Sequence, residues 1–266
     1  MKKIVFQIVV IVSLFFSLWF VLSKIDWMGI FKVEQATQTT EKKLGDLLWD
    51  LYNKAEKEIK SEKANLPLDS ILSKICNSNN IDKSQIKLHL INSDEINAFA
   101  LPNKHLVINS GLILACENEA ELCGVISHEI AHMELNHVMK KLIKEVGLSV
   151  VISMTAGNGG AEKIKETAKL LSSSAYDRNL EKEADIKAVD YMTNSNINPE
   201  HFANFLYRLG DSESTSMKYF SWISTHPDSK ERAEYIIKYI GKKNEKSEAV
   251  LATETWNKLK EYLTEK

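Results

Sequence analysis

Cysteine is scarce in this chain, and what there is does not form a framework. Cys76, Cys116 and Cys123 are the only three, an odd number that excludes a disulfide-built fold. If Cys116 and Cys123 share a helix, the rise between them puts their Cα atoms about 10 Å apart, too far for a bridge. They read as buried thiols. No cysteine follows the apolar N-terminus, so no lipid-acceptor position is visible. A dominant charge is missing too: 34 Lys and Arg against 36 Asp and Glu give a net charge of −2, and nothing in that balance points to nucleic acid. Arginine is almost absent, occurring at Arg178, Arg208 and Arg232 alone, and no internal repeat is visible. What remains is ordinary for a globular protein, with 44% hydrophobic and 26% charged residues. The 266 residues suit one domain with an appendage, with a core large enough to need no disulfides.

That appendage is at the start. Met1-Lys2-Lys3 precedes an uncharged apolar run over 4–22, which as a helix spans about 28 Å, close to a bilayer core. Val21-Leu22-Ser23 is a poor cleavage site, so an uncleaved transmembrane anchor is favoured over a signal. Lys2 and Lys3 keep residues 1–3 cytoplasmic. The rest is then expected outside, on the periplasmic side of the inner membrane if the cell is bacterial. A polar tether follows over 23–43, the main domain over 44–243, and a charged helical tail over 244–266.

The main domain contains His128-Glu129-Ile130-Ala131-His132, which reads H-E-x-x-H. On a helix, positions i and i+4 project from one face, so both imidazoles reach one zinc ion. Glu129 then lies beside the metal, where a carboxylate takes a proton from water. The context suits a buried helix over 119–141: it has no proline, and Leu122, Val125, Ile126, Ile130, Met133 and Leu135 give it a broad apolar surface. Polar groups turned into such a surface need partners, and a metal is one.

A catalytic zinc takes three protein ligands and keeps one position for water. The metzincin spacing fails, because Val138 stands where the third histidine belongs and Leu135 where the glycine belongs. His137 is five residues past His132, off the metal-facing row by helix periodicity, and reads as structural or surface. The third ligand is sought in Glu181-Lys182-Glu183-Ala184-Asp185, on a helix predicted over 178–192. Glu181 and Asp185 share one face of it. There Glu181 coordinates zinc, while Asp185 accepts the N–H of a zinc-bound imidazole and fixes its tautomer. The competing reading is a solvated charged face. The small Ala184 between the two carboxylates, downstream of H-E-x-x-H, decides for ligation.

These motifs resemble the family-48 gluzincin metallopeptidases, the group containing HtpX, BepA and the CAAX prenyl proteases. Upstream stands Asn97-Ala98-Phe99-Ala100-Leu101-Pro102, downstream Thr225-His226-Pro227 with Arg232, all in family order across roughly 65–240. The resemblance implies His128, His132 and Glu181 as ligands of one Zn2+ per chain and Glu129 as the catalytic base. It also implies His226 in the active site, and Asn97, Ala98, Phe99, Ala100 and Arg232 along the bound peptide. Two roles of opposite sign stay open for His226: donor to the developing oxyanion, or occupant of the open zinc position. The polar stretch 210–216 before it favours the second. Asn103-Lys104 departs from the Gly-Gly that many members carry after the proline. The apolar stretch 146–156 is too short to span a bilayer. It is read as a packed helix end rather than a lid or membrane-dipping segment. This sets the chain closer to the single-anchor, BepA-like branch than to the multi-span prenyl proteases.

The expected fold is α+β and mainly helical, a zinc-metallopeptidase domain with a small sheet behind one N-terminal transmembrane helix. Strands are predicted over 86–90, 96–101 and 106–109, with His89 on the polar side and His105 in an exposed turn. The expected function is a zinc-dependent endopeptidase acting on envelope or membrane proteins, in protein quality control. A polypeptide substrate and the membrane are the partners, and nucleic acid is not. The alternative is a membrane-tethered, zinc-stabilised binding or chaperone-like module. The retained Glu129 argues against it, since a purely structural zinc has no use for a base.

Overall fold

The computed structural model describes residues 33–156, 160–211, 220–241 and 247–266. The apolar run 4–22 lies outside the described residues, and no described helix is long and apolar enough to cross a membrane. The chain divides into two compact units, Met1–Thr40 and Glu41–Lys266. The whole sheet and every candidate metal ligand belong to the second.

The elements are α1 (Val33–Ala55), which begins in the first unit, α2 (Glu62–Ser78), β1 (Lys87–Ile91), β2 (Ala98–Leu101) and β3 (His105–Asn109). Then come α3 (Ser110–Ala115), α4 (Glu119–Glu134), α5 (His137–Val146), α6 (Leu148–Thr155) and α7 (Ala161–Ser173). The last five are α8 (Arg178–Asn194), α9 (Glu200–Asp211), α10 (Phe220–Thr225), α11 (Ser229–Ile240) and α12 (Thr253–Thr264). The molecule is thus mainly helical with one small sheet, ordered β1-β3-β2. β3 pairs parallel with β1 and antiparallel with β2, so β2 is an edge strand.

Alternation along β2 and β3 sends successive side chains to opposite faces. Ala98, Ala100, Leu106 and Ile108 enter the main core with residues of α4, α8 and α9. Phe99, Leu101 and Val107 enter a second core, with Leu44 and Leu48 of α1 and with Met139, Leu142, Val151, Met154 and Leu171 of α5–α7. The sheet therefore lies between two layers, and β2 runs beside α4. Leu251, Trp256, Leu259 and Leu263 join the main core, where α12 packs on α2 and α3.

Two local expectations need correcting. His105 is buried, not an exposed turn residue. Its Nδ1 lies 2.9 Å from His89 Nε2, and its Nε2 lies 3.2 Å from Lys87 Nζ. Trp49 stacks on His89 with ring centroids 3.5 Å apart. His89 in turn reaches Glu58 at 2.9 Å. His105 opens β3 instead of sitting in the turn, on the face it shares with Val107, and α1 covers that face. The second correction is the helix expected over 119–141, which is two helices. α4 ends at Glu134, and Asn136 takes the left-handed conformation with φ 56°, a usual way to stop a helix and turn the chain.

Candidate metal centre

α4 carries the two histidines. Its N-terminus is set by Asn118, whose side chain accepts the Glu121 N–H at 3.1 Å, with Glu119 and Glu121 favourably placed in the first turn. Arg208 of α9 grips Glu121 with two bonds of 2.8 and 2.7 Å. Gly124 lets α9 approach: a Cβ there would lie 2.4 Å from Phe202 Cβ. Facing α4 is α8, in close packing with it, which presents Glu181 and Asp185 one turn apart.

The convergence is tight. His132 Nε2 lies 3.0 Å from His128 Nε2 and 3.2 Å from Glu181 Oε1. His128 Nε2 lies 3.6 Å from Glu181 Oε2. His226, in the loop between α10 and α11, puts Nδ1 3.0 Å from Glu181 Oε1 and 3.3 Å from His128 Nε2. One donor atom from each of these four residues lies within 4.8 Å of the others. Ligand atoms about 2 Å from a tetrahedral ion sit roughly 3.3 Å from one another, so the set fits a zinc ion.

The electrostatics suit the same ion. Burial depresses His128, and holds His132 and His226 down to about 4, so all three imidazoles are neutral with lone pairs to offer. Burial alone would raise Glu181 and Asp185, but Arg232, with neighbouring histidines, outweighs it. Glu181 is held well below the usual carboxylate range and Asp185 at about 2. Arg232 donates to Asp185 from Nε at 2.8 Å and from Nη2 at 2.6 Å, and its Nη1 lies 2.5 Å from Glu181 Oε2. Tyr235 also donates to Asp185. Asp185 Oδ1 in turn faces His128 Nδ1 at 2.9 Å.

Glu129 is different. It is fully buried, and neither carboxylate oxygen has a hydrogen-bond partner of ordinary geometry. Burial pushes it well above the usual carboxylate range, and the Glu181 charge adds to this. Lys141 and the Ala100 N–H oppose it. That N–H belongs to the edge strand β2, so the edge borders Glu129. His226 Nε2 is 3.4 Å from Glu129 Oε1.

The sequence-predicted residues are not all placed alike. His128, Glu129, His132, Glu181, Asp185 and His226 come together. Ala98 and Ala100 line the strand beside them, with Phe99 turned to the second core. Asn97 is buried, with Nδ2 3.5 Å from Ser172 O and Oδ1 unpartnered. Arg232 is tied into the Glu181–Asp185 network rather than open to a peptide. The residues missed are those of the cover. Tyr176 stacks on His132 at 3.9 Å, and Lys141 Nζ sits 4.1 Å above the Tyr176 ring. Lys141 also donates to Leu171 O at 3.0 Å, and burial brings it down to about 8. Trp222 stacks on His226 at 4.3 Å. The only sequence signal for Tyr176 is a lone aromatic just before the Glu181 helix. Lys141 carries none, being one lysine among many. The described form is closed: no residue of the metal cluster is more than 2% exposed. A cavity of about 190 Å3 reaches Glu181 and Arg232 but not His128, Glu129 or His132.

An H-E-x-x-H helix whose imidazoles meet a glutamate from a later helix is the centre of a gluzincin-type metallopeptidase. The chain belongs to peptidase family M48, which residues 62–240 match. It is similar to the beta-barrel assembly-enhancing protease of Yersinia pestis, 27% identical over 58% of this chain and 34% of that one. It is also similar to the metalloprotease LoiP of Escherichia coli K12, at 29% over 59% of this chain and 64% of that one. The mitochondrial metalloendopeptidase OMA1 of Schizosaccharomyces pombe is 26% identical over 74% of this chain and 59% of its own. The chain thus spans about a third to two thirds of the length of these relatives.

Proposed function

We propose that this chain is a zinc-dependent endopeptidase, with zinc held by His128, His132 and Glu181. The observation that carries the reading is Glu129: a buried carboxylate without a hydrogen-bond partner, beside four converging donor atoms. A structural metal site would have no use for it. Bound zinc supplies Lewis-acid polarisation of the attacking water and of the scissile carbonyl. Glu129, raised by burial, takes the water's proton and passes it to the leaving amine. Ala98 and Ala100 offer an edge strand along which an extended peptide aligns through its backbone. Asp185 holds His128 by its Nδ1, and Arg232 balances the two carboxylates.

For His226 we favour occupation of the fourth position over oxyanion donation, because Nδ1 points into the ligand set. His226→Ala at equal zinc loading then hydrolyses faster; slower turnover would assign it to the oxyanion. Envelope or membrane proteins as substrates, a role in quality control, and anchoring through 4–22 with the domain extracytoplasmic complete the proposal. They are supported by the apolar run and by relatives named as barrel-assembly and mitochondrial proteases. The deciding experiment is Glu129→Gln. Zinc content and fold are expected unchanged, hydrolysis lower by at least about a hundredfold, and substrate proteins trapped in the cell. Undiminished turnover in the metal-replete variant would refute the mechanism.

A further inference from the structure

His132 is held from behind, and not by a carboxylate. Its Nδ1 lies 3.1 Å from Nδ1 of His137, and His137 Nε2 lies 3.2 Å from Glu183 Oε2. His137 is fully buried, while the Glu183 side chain is 59% exposed. We propose that His137, backed by Glu183, is the positioning residue for His132, and that this pair sets which nitrogen His132 offers to the metal. The inference rests on the reading of His132 as a zinc ligand.

The proton count leaves one solution. His132 Nε2 faces the ligand set, and a nitrogen offered to a metal carries no proton. The proton of neutral His132 is therefore on Nδ1. A hydrogen bond between two Nδ1 atoms needs one donor and one acceptor, so His137 accepts there and carries its own proton on Nε2. That proton meets Glu183, a pure acceptor. The opposite arrangement would let His132 Nε2–H donate to Glu181 Oε1, 3.2 Å away, but it denies that nitrogen to a metal and turns a bare His137 nitrogen toward a carboxylate. Glu183, three groups away from the metal, thus selects the tautomer at the metal.

The local structure explains how His137 gets there. On a continuous helix it would leave the metal-facing row. The break at Asn136 starts α5 at His137 instead and folds the ring back against His132, their centroids 5.1 Å apart. On α8, Glu183 is two residues past Glu181, turned away from the cluster and toward α5. The two histidine ligands are consequently supported in different ways. His128 leans on a buried, charge-balanced Asp185, and His132 on a neutral imidazole whose far end reaches solvent.

The test uses the full chain, metal-free and loaded with zinc(II). Zinc affinity is measured by chelator competition, and the His132 tautomer by nitrogen-15 resonance of labelled histidines in the metal-free protein. Wild type is expected to show His132 protonated on Nδ1. His137→Phe should bind zinc roughly ten- to a hundredfold more weakly, the scale of lost outer hydrogen bonds. Glu183→Ala, at an exposed position that leaves folding intact, should weaken binding less and populate the Nε2–H form. Glu183→Gln, which keeps an acceptor, should restore both. Unchanged zinc affinity in Glu183→Ala and in folded His137→Phe, or an Nε2–H tautomer in wild type, would overturn the inference. His132→Ala separates the two readings: if it leaves zinc binding intact, the metal centre itself is misassigned. If it abolishes binding while the His137 and Glu183 variants do not, only the relay fails.

Discussion

Two layers meet at the metal cluster, and they are built on different terms. The floor is α4, α8, α9 and α11, packed through Ile130, Ala184, Ala188, Phe202, Phe205 and Leu206 in one core. Within it Arg232 holds two carboxylates, and Gly124 brings α4 against Phe202. The cover is α5–α7 with Tyr176, resting on the sheet through the second core. Its middle helix α6 has only eight residues, with Leu148 and Ile152 55% and 53% exposed. The contacts that tie the cover to the site include Asn97 to Ser172 O, the Tyr176 stack on His132, and His137 between His132 and Glu183. Elements with few buried contacts open at lower free energy than the core. Glu181 and Asp185 are thus fixed from below, whereas His132 is also held from the cover, by His137.

The strongest way to break this contrast is to strip the floor of its cation. Arg232→Met leaves Asp185 and Glu181 buried without their counter-charge. The metal-free protein should lose about 3–5 kcal/mol of stability, measured by denaturant unfolding, and added zinc should return part of it. A loss no larger than that of a cover variant would erase the distinction. Gly124→Ala comes next. Its Cβ meets Phe202, so the α4–α9 contact must spread, at about 1–3 kcal/mol of overpacking, read as a lower melting temperature. An unchanged melting temperature would mean the contact is looser than the structure has it.

Lys141→Met sharpens the contrast from the other side. Met keeps much of the volume but drops the bond to Leu171 O and the contact with the Tyr176 ring, each about 1 kcal/mol. Hydrogen exchange of α7 amides should quicken several-fold while α8 amides stay as they are. Equal acceleration in α8 would show one cooperative unit rather than two. The smallest effect is expected from Ile152→Gln, within about 0.5 kcal/mol in chemical unfolding because the side chain is mostly exposed. A loss beyond about 1 kcal/mol would reveal a partner for that face.

The same contrast marks what can be read from the sequence. His128, Glu129, His132, Glu181 and Asp185 are legible because each set lies on one unbroken helix, where i and i+4 must share a face. The helix at Ser229–Ile240 and the alternation of the strands follow for the same local reason. Periodicity keeps His137 off the metal-facing row, but it does not reveal that the break at Asn136 folds the ring back against His132. The burial of His105 depends on α1, far away in the chain. Tyr176 and Lys141 reach the site only through tertiary packing, and no spacing announces them. Nor does any local pattern reveal that β1 pairs with β3 rather than with β2, its neighbour in sequence.

The turn between β2 and β3 carries one more consequence. Asn103 and Lys104 both have positive φ, 60° and 54°, with no glycine at either place. For a residue such as lysine that conformation costs about 1–2 kcal/mol. Distant partners hold it: Asn103 donates to Asp46 of α1 at 2.9 Å, and Lys104 to Glu134 of α4 at 2.8 Å. Two glycines would relieve the strain but give the unfolded chain more freedom to lose. As it stands, the hairpin is a poor folding nucleus. Its bend is stable only after α1 and α4 have arrived, so the active-site edge strand closes late, on a scaffold already assembled around it.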